Sequence, residues 1–331
     1  MANDKSYPLV SVVTPSFNQG EFLEDTIRSV LAQDYTAVEY LIVDGGSTDT
    51  SVDIIKRYDS DLTWWVSEPD EGQASAINKG ISRAKGEFVA WLNSDDLYFP
   101  GAIKSAVNIM LSDPQIGLVY GNAVTIDEKG RPIRELIFPD WKLDDLIQFR
   151  IICQPAVFMR RSSYIEVSGL DPSYHFMLDH HLWVRIARQT QIKHVSALWA
   201  AARHHKAAKN VYQSSGFGKE SLLLLEWMET EPDLAPMVAE YKSRVYAGAY
   251  RLNGRYLLDG GEYANSLTSY FRAFRYQPGY TMQHWHRIMY AFLGMIGFNN
   301  LDAFYERYQD SRRPDLTNTP NLDKWPGLCL D

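Results

Sequence analysis

The chain changes character abruptly at residue 93, and that change limits the folds open to it. Phe88 to Leu92 reads Phe-Val-Ala-Trp-Leu, and the next four residues are Asn93, Ser94, Asp95 and Asp96. Five mostly apolar residues in a row describe a strand buried on both faces. Open α/β sheets bind ligands just outside the carboxyl ends of such strands. Two adjacent carboxylates repel unless something cationic neutralises them, and oxygen ligands of this kind suit Mg²⁺ or Mn²⁺. One reading of the stretch is therefore a cation that bridges to a substrate phosphate. The other is an Asx turn that caps the helix near Pro100.

The surrounding sequence supplies the sheet. Apolar runs at residues 9 to 14, 38 to 43, 62 to 66 and 116 to 120 predict further strands. Between them, residues 21 to 32, 71 to 84 and 100 to 112 carry helical periodicity, with Ile27, Val30 and Leu31 on one buried face and Ile103, Val107 and Leu111 on another. One helix between successive strands predicts an α/β fold, a mostly parallel, doubly wound central sheet flanked by helices. Three strand ends then carry polar groups toward one crevice: Thr14 and Ser16, Asp44, and Asn93 to Asp96. Asp44 can accept hydrogen bonds from a base or ribose, or it can cap the turn at Gly45-Gly46. There is no GxGxxG and no GxxxxGK[ST], so neither a dinucleotide fingerprint nor a P-loop is present.

Composition excludes several classes. A net charge of −8 argues against a nucleic-acid binder. The 2 cysteines, Cys153 and Cys329, cannot form a disulfide framework, and the first residues lack the pattern of a signal peptide; together they predict a cytoplasmic protein. The apolar run Met289 to Phe298 is too short to span a bilayer and is broken by Gly294 and Gly297.

Further along, residues 122 to 135 read as a β excursion, 141 to 150 as a helix, and 151 to 159 as a strand interrupted at Gln154-Pro155. Gln154 is placed either facing an acceptor or at a bulge. Residues 177 to 188 predict a helix with Asp179 at its start, where an acid is also an ordinary N-cap. Residues 203 to 210 form a basic cluster holding Arg203, His205 and Lys209. From Phe217 the pattern is helical. Residues 252 to 278 resemble a tetratricopeptide-like helix pair, with Ser266 where Ala is usual. Residues 279 to 300 offer either a packed helix or an amphipathic surface for a membrane, and the tail from Ser311 reads as irregular.

Four pieces, VSVVTPSFNQGEFLEDTIRSVLAQDY, YLIVDGGSTDTSVDII, EPDEGQASAINKGISRAKGE and WLNSDDLYFPGAI, occur in order between residues 8 and 125. In this set the chain resembles the family-2 inverting glycosyltransferases with a GT-A fold. The resemblance implies a nucleotide-diphosphate sugar donor, a UDP-sugar, and a glycan or lipid-linked acceptor. It implies that Thr14, Pro15 and Ser16 line the nucleoside site, that Asp44 meets the base, and that Gln73, Asn78 and Lys79 lie near the base or diphosphate. Asn93-Ser94-Asp95 stands where the family has Asp-x-Asp, so the first acid is an amide here. Asp95 is implied as the principal ligand of Mn²⁺ or Mg²⁺, with Asp96 as a second ligand or acceptor and His205 near the metal. Arg203 and Lys209 are implied to close over the diphosphate. Asp179, followed by Leu182-Trp183-x-Arg185, is implied as the catalytic base, and His181 stands where a second acid is common, as an acceptor contact, a tuner of Asp179 or a solvent-facing residue.

These readings divide the chain at 1–125 for the donor, 126–212 for the acceptor and 213–331 for a helical region that meets a membrane or a protein. Surface polysaccharide or glycolipid synthesis on the inner face of a membrane follows from the resemblance. The alternatives are a sugar nucleotidylyltransferase, which usually carries cations in the loop after the first strand where this chain has Pro-Ser-Phe-Asn-Gln-Gly, and a non-catalytic binder of nucleotide sugars.

Overall fold

The structure, a computed structural model, describes residues 7–205, 208–209 and 213–298. These divide into two compact units. One runs up to Lys142 and resumes over Ile152–His204; the other joins Leu143–Ile151 to the described residues between 205 and 298.

The first unit is built on a nine-stranded sheet. In chain order its elements are β1 (Val10–Ser16), α1 (Leu23–Leu31), β2 (Val38–Asp44), α2 (Ser51–Arg57), β3 (Trp64–Ser67), α3 (Gln73–Arg83), β4 (Phe88–Trp91), β5 (Leu97–Tyr98), α4 (Ala102–Ser112), β6 (Ile116–Ile126) and β7 (Pro132–Leu136). After Ile152 follow a 3₁₀ turn (Gln154–Ala156), β8 (Val157–Arg160), α6 (Arg161–Glu166), α7 (Leu178–Ala187) and β9 (Gln191–Arg203), with α5 (Leu143–Ile147) belonging to the other unit. β3, β2, β1 and β4 are parallel neighbours in that order, as a helix between each pair requires.

Beyond β4 the sheet is mixed, which the alternation of strands and helices does not foretell. β8 inserts antiparallel between β4 and β6, and β6 runs parallel to β9. The stretch over 151–159, expected as a strand interrupted at Gln154-Pro155, is a 3₁₀ turn at that interruption followed by β8, because Pro155 cannot donate to a ladder. Every β1 residue is buried, and Val10, Val12 and Ile42 join Phe88, Ala90 and Leu92 in the main core. α3 lies close on β1 because Gly80 has no side chain: a Cβ there would come 2.4 Å from Val13. Leu31 and Leu111, expected on buried faces, are 41% and 52% exposed, since each falls in the last turn of its helix, at the edge of what the sheet covers.

The second unit is helical, as expected: α8 (Ser214–Thr230), α9 (Ala235–Glu240), α10 (Lys242–Asp259), α11 (Tyr263–Tyr276), α12 (Pro278–Met282) and α13 (Trp285–Met295). α10 and α11 form the helix pair read from residues 252 to 278. Gly254 admits the Tyr270 ring at 3.0 Å from where a Cβ would stand. The hydroxyl of Ser266, in the place of the usual Ala, donates to the Gly254 carbonyl at 2.7 Å, so this polar residue is satisfied inside the pair. Among the described residues no helix is long and apolar enough to cross a membrane. The tail from Ser311 and Cys329 lie outside the described residues.

Candidate active site

The loop after β4 is held from several directions. Asn93 sits at its centre. Its side-chain oxygen accepts from Gln73 Nε2 at 2.8 Å, and its Nδ2 donates to Asp96 Oδ2 and to Gln154 Oε1, each at 3.0 Å. Gln154 Nε2 donates in turn to the Trp91 carbonyl at 2.8 Å. Helix α3, the acid loop and the 3₁₀ turn before β8 thus meet in one amide network. Asn93, Gln73 and Gln154, selected separately in the sequence, are joined directly.

Arg203, the last residue of β9, holds the same loop from the other side. Its backbone N–H donates to Asp96 Oδ1 at 3.0 Å and its Nε to the Asp95 carbonyl at 3.0 Å. Nη1 donates to the Glu128 carbonyl at 2.9 Å, Nη2 to Asp25 Oδ2 at 3.2 Å, and the Phe22 ring lies 4.8 Å from the guanidinium carbon. The side chain is only 2% exposed, so in this structure the cation is committed to the loop. Thr26 Oγ1 completes the support by donating to the Asp96 carbonyl at 2.8 Å.

The two acids therefore stand in different environments. Asp96 is buried, with each oxygen accepting one hydrogen bond, while Asp95 is half-buried. Burial first, and then the charge of Asp95, hold the Asp96 carboxyl well above the usual carboxylate range. Ser94 is buried between them and Asn93.

Asp179 lies in the first turn of α7. The N-cap there is Met177, whose side chain makes no capping hydrogen bond; the Oδ1 of Asp179 accepts from the first-turn backbone N–H of His180 at 2.7 Å. One turn on, on the same face, Trp183 stacks on Trp91, the end of β4, with ring centroids 5.1 Å apart. Burial, then the charge of Asp96, then that of Asp179, push the thiol of Cys153 up.

Other expected residues are placed as follows. Thr14 is fully buried and shares a 2.9 Å hydrogen bond with the Tyr40 hydroxyl; Pro15 and Ser16 are buried with it. Asp44 is fully buried, and its carboxylate accepts from Gly46 N (3.1 Å), Ser47 N (2.8 Å), Ser47 Oγ (2.5 Å) and Ser67 Oγ (2.7 Å). Asn78 does not join the amide network: it donates to the Leu170 carbonyl at 2.8 Å and accepts from Leu170 N and the Tyr164 hydroxyl. Lys79 pairs with Glu68 at 2.8 Å on the surface. His181 is buried against Tyr174, at 4.2 Å between centroids, so it does not face solvent. Burial, with Arg185 beside it, lowers its pKa to about 3, so the ring is neutral near pH 7. His205 and Lys209 belong to the second unit, and residues 206–207 and 210 of the basic cluster lie outside the described residues. Sequence reasoning missed Asp25, Thr26 and the Trp91–Trp183 stack. Only the last had a local signal, an aromatic four residues after Asp179.

Among the described residues no three His, Cys, Asp or Glu groups gather as a ready-made cation cage. Mg²⁺ and Mn²⁺ do not require one, since one or two carboxylates plus substrate phosphates and water commonly hold them. The repulsion between Asp95 and Asp96 is the strain that such a cation relieves, so the residues present fit it.

The comparisons agree with this geometry. The sequence model for glycosyl transferase family 2 matches residues 11–168. An uncharacterized glycosyltransferase of Mycobacterium tuberculosis is 30% identical over 188 residues, covering 55% of this chain and 70% of that protein. The O-antigen biosynthesis protein RfbC of Myxococcus xanthus is 28% identical over 207 residues, 61% of this chain and 16% of that protein. The chain spans 34% of the length of a Rickettsia felis glycosyltransferase to which it is 30% identical over 208 residues, 60% of this chain. Two solved structures share the fold. S. aureus TarS in complex with UDP-GlcNAc aligns with a TM-score of 0.56 at 16% identity, over 76% of this chain and 81% of that one. The mannosyltransferase PcManGT of Pyrobaculum calidifontis, in complex with GDP-Man and Mn²⁺, aligns with a TM-score of 0.58 at 17% identity, over 88% and 87%. The fold is of the GT-A kind, and the chain belongs to glycosyl transferase family 2.

Proposed function

We propose that the chain transfers a sugar, with inversion, from a nucleotide-diphosphate sugar to a hydroxyl of a glycan or lipid-linked acceptor in cell-surface polysaccharide assembly. A UDP-sugar is the donor in this reading. The observation that carries it is the Trp183–Trp91 stack, which sets the helix bearing Asp179 against the strand that leads into the acid loop. Asp179 takes the acceptor O–H proton, the freed oxygen forms a bond to the anomeric carbon, and the bond from that carbon to the diphosphate oxygen breaks with its electron pair. Asp95, with Asp96 behind it, would hold Mn²⁺ or Mg²⁺, which supplies charge stabilisation to the leaving diphosphate when bound. Thr14, Pro15 and Ser16 line the nucleoside side of the crevice. Gln73, Asn93, Gln154 and Arg203 keep the acid loop in position, and Lys79 is a further donor contact. Asp44 and Asn78 shape the turns around that crevice, and His181, in the helix that carries Asp179, packs on Tyr174.

The test is release of UDP from a panel of UDP-sugars, with Mn²⁺ and with chelator, in the presence of bacterial glycan acceptors. The reading expects release that requires the metal and an intact Asp179. Release unchanged by chelator and by Asp179→Asn would overturn it.

A further inference from the structure

In the helical unit, α13 presents an unusual surface. Its exposed residues are Trp285 (53%), Met289 (48%), Phe292 (46%) and Met295 (48%), all of them apolar. The spacing 285, 289, 292 keeps three of them on one stripe of a helix. Ile296 and Phe298 extend the apolar surface past its end, and Met282 precedes it. The opposite face is the packed one: Ala291 is buried, Tyr290 lies edge-on to Tyr263, and Arg287 reaches Asp259 at 3.6 Å. The helix thus points its apolar stripe outward while its other side packs on α10 and α11. Isolated exposed hydrophobics are ordinary, but a whole helix face of them marks an interaction site.

Charge indicates what covers it. From Tyr263 to Phe298 the sequence has Arg272, Arg275 and Arg287 and no Asp or Glu, in a chain whose net charge is −8. Arg272 and Arg275 are exposed, and they alternate on α11 with Phe271 (63%) and Phe274 (39%), also exposed. Aromatic and aliphatic side chains beside arginines, with acids excluded, are the chemistry of a helix lying in the headgroup region of an anionic bilayer. We infer that this face of the helical unit, α13 with the outer side of α11, docks on the surface of an anionic lipid membrane without crossing it. Trp285, Met289 and Phe292 enter the acyl boundary, and Arg272 and Arg275 meet lipid phosphates. The inference stands on this surface alone and does not require the proposed transfer reaction.

The experiment is flotation of the full chain with vesicles of phosphatidylcholine alone and of phosphatidylcholine with about one-third phosphatidylglycerol, at low and high salt. The wild type should float with the anionic vesicles and far less with the neutral ones. Trp285→Glu with Phe292→Glu should lower the floated fraction by about tenfold or more, because charged side chains oppose burial in the acyl boundary. Arg272→Gln with Arg275→Gln should lower it on anionic vesicles only, and high salt should do the same. Both variants should keep the wild-type thermal midpoint, since all four positions are exposed; Trp285→Ala with Phe292→Ala provides a milder pair if the glutamates unfold the chain. No flotation with either vesicle would overturn the inference. So would a wild-type dimer that the Trp285 variant dissociates, which assigns the face to a second copy. Flotation that appears only after removal of residues 299–331 would assign it to that segment of the chain and likewise overturn it.

Discussion

The carboxyl ends of β2 and β4 both deliver an acid at the edge of the same sheet, yet the two ends are built differently. At β2, the Asp44 carboxylate accepts four hydrogen bonds, all from residues 46, 47 and 67. Those donors belong to its own turn and to the neighbouring strand, so the acid is satisfied locally and is fully buried. At β4, the acid loop is held by partners from distant parts of the chain: Thr26, Gln73 and Arg203 donate to it, and Gln154 accepts from Asn93. That support fixes Asn93, Asp96 and the Asp95 backbone while Asp95 itself remains half-exposed. A carboxylate wrapped by its own turn is architecture. A half-exposed carboxylate on a loop that remote residues hold rigid has the placement that a binding or catalytic group needs.

The sharpest way to break this contrast is to neutralise each acid in turn. Asp95→Asn should reduce transfer by about 10³-fold, the scale of losing transition-state charge stabilisation, while leaving the denaturation midpoint near wild type. A large fall in the midpoint would place Asp95 with Asp44 as a structural acid. Next in size is the clamp. Arg203→Met removes the donors to the carbonyls of Asp95 and Glu128 and the partner of Asp25, and should destabilise the first unit by about 3 kcal/mol in urea unfolding, discounted because Asp25 is one-third exposed. A cost below about 0.5 kcal/mol would mean that the loop does not depend on it.

The helix that carries Asp179 adds a pH dependence. His181 has a folded pKa of about 3, below its unfolded value of about 6.5. Its contribution is therefore present above pH 6.5 and is lost as pH falls toward 3, because only the unfolded chain takes up the proton in that window. Between about pH 6.5 and 5 this should remove roughly 2 kcal/mol of stability, and His181→Gln should flatten the slope. An unaltered slope would remove His181 as its source. The smallest effect is expected at β2: Asp44→Asn should cost about 1.5 kcal/mol, since an amide weakens charge-assisted bonds without removing every acceptor, and transfer by the folded fraction should change far less than in Asp95→Asn.

What the sequence revealed about this molecule follows from the range of the interactions. The parallel half was legible because each of its strands is a short apolar run followed by its own helix, and that pattern is local. The acid loop was legible because Asn-Ser-Asp-Asp directly after Phe88–Leu92 is also local. The order of the later strands was not. β8 pairs with β4 across some seventy residues of chain, and nothing in Val157–Arg160 names its neighbours. The duties of single polar residues were equally hidden: Asn78 bonds to Leu170, and Arg203 to the Asp95 carbonyl, over sequence separations of 92 and 108. At α13 the 3.6-residue period was visible, but period alone does not say whether the apolar stripe faces inward or outward.

The proposed transfer divides labour between Asp95, which would bind the donor, and Asp179, which would move the proton. Calorimetric titration of UDP in the presence of Mn²⁺ into wild type, Asp95→Asn and Asp179→Asn tests that division most directly. The account predicts that the Asp179 variant, inactive in transfer, binds UDP as tightly as wild type, whereas the Asp95 variant loses most of its affinity. Equal binding by all three proteins, or loss of binding in the Asp179 variant alone, would contradict it.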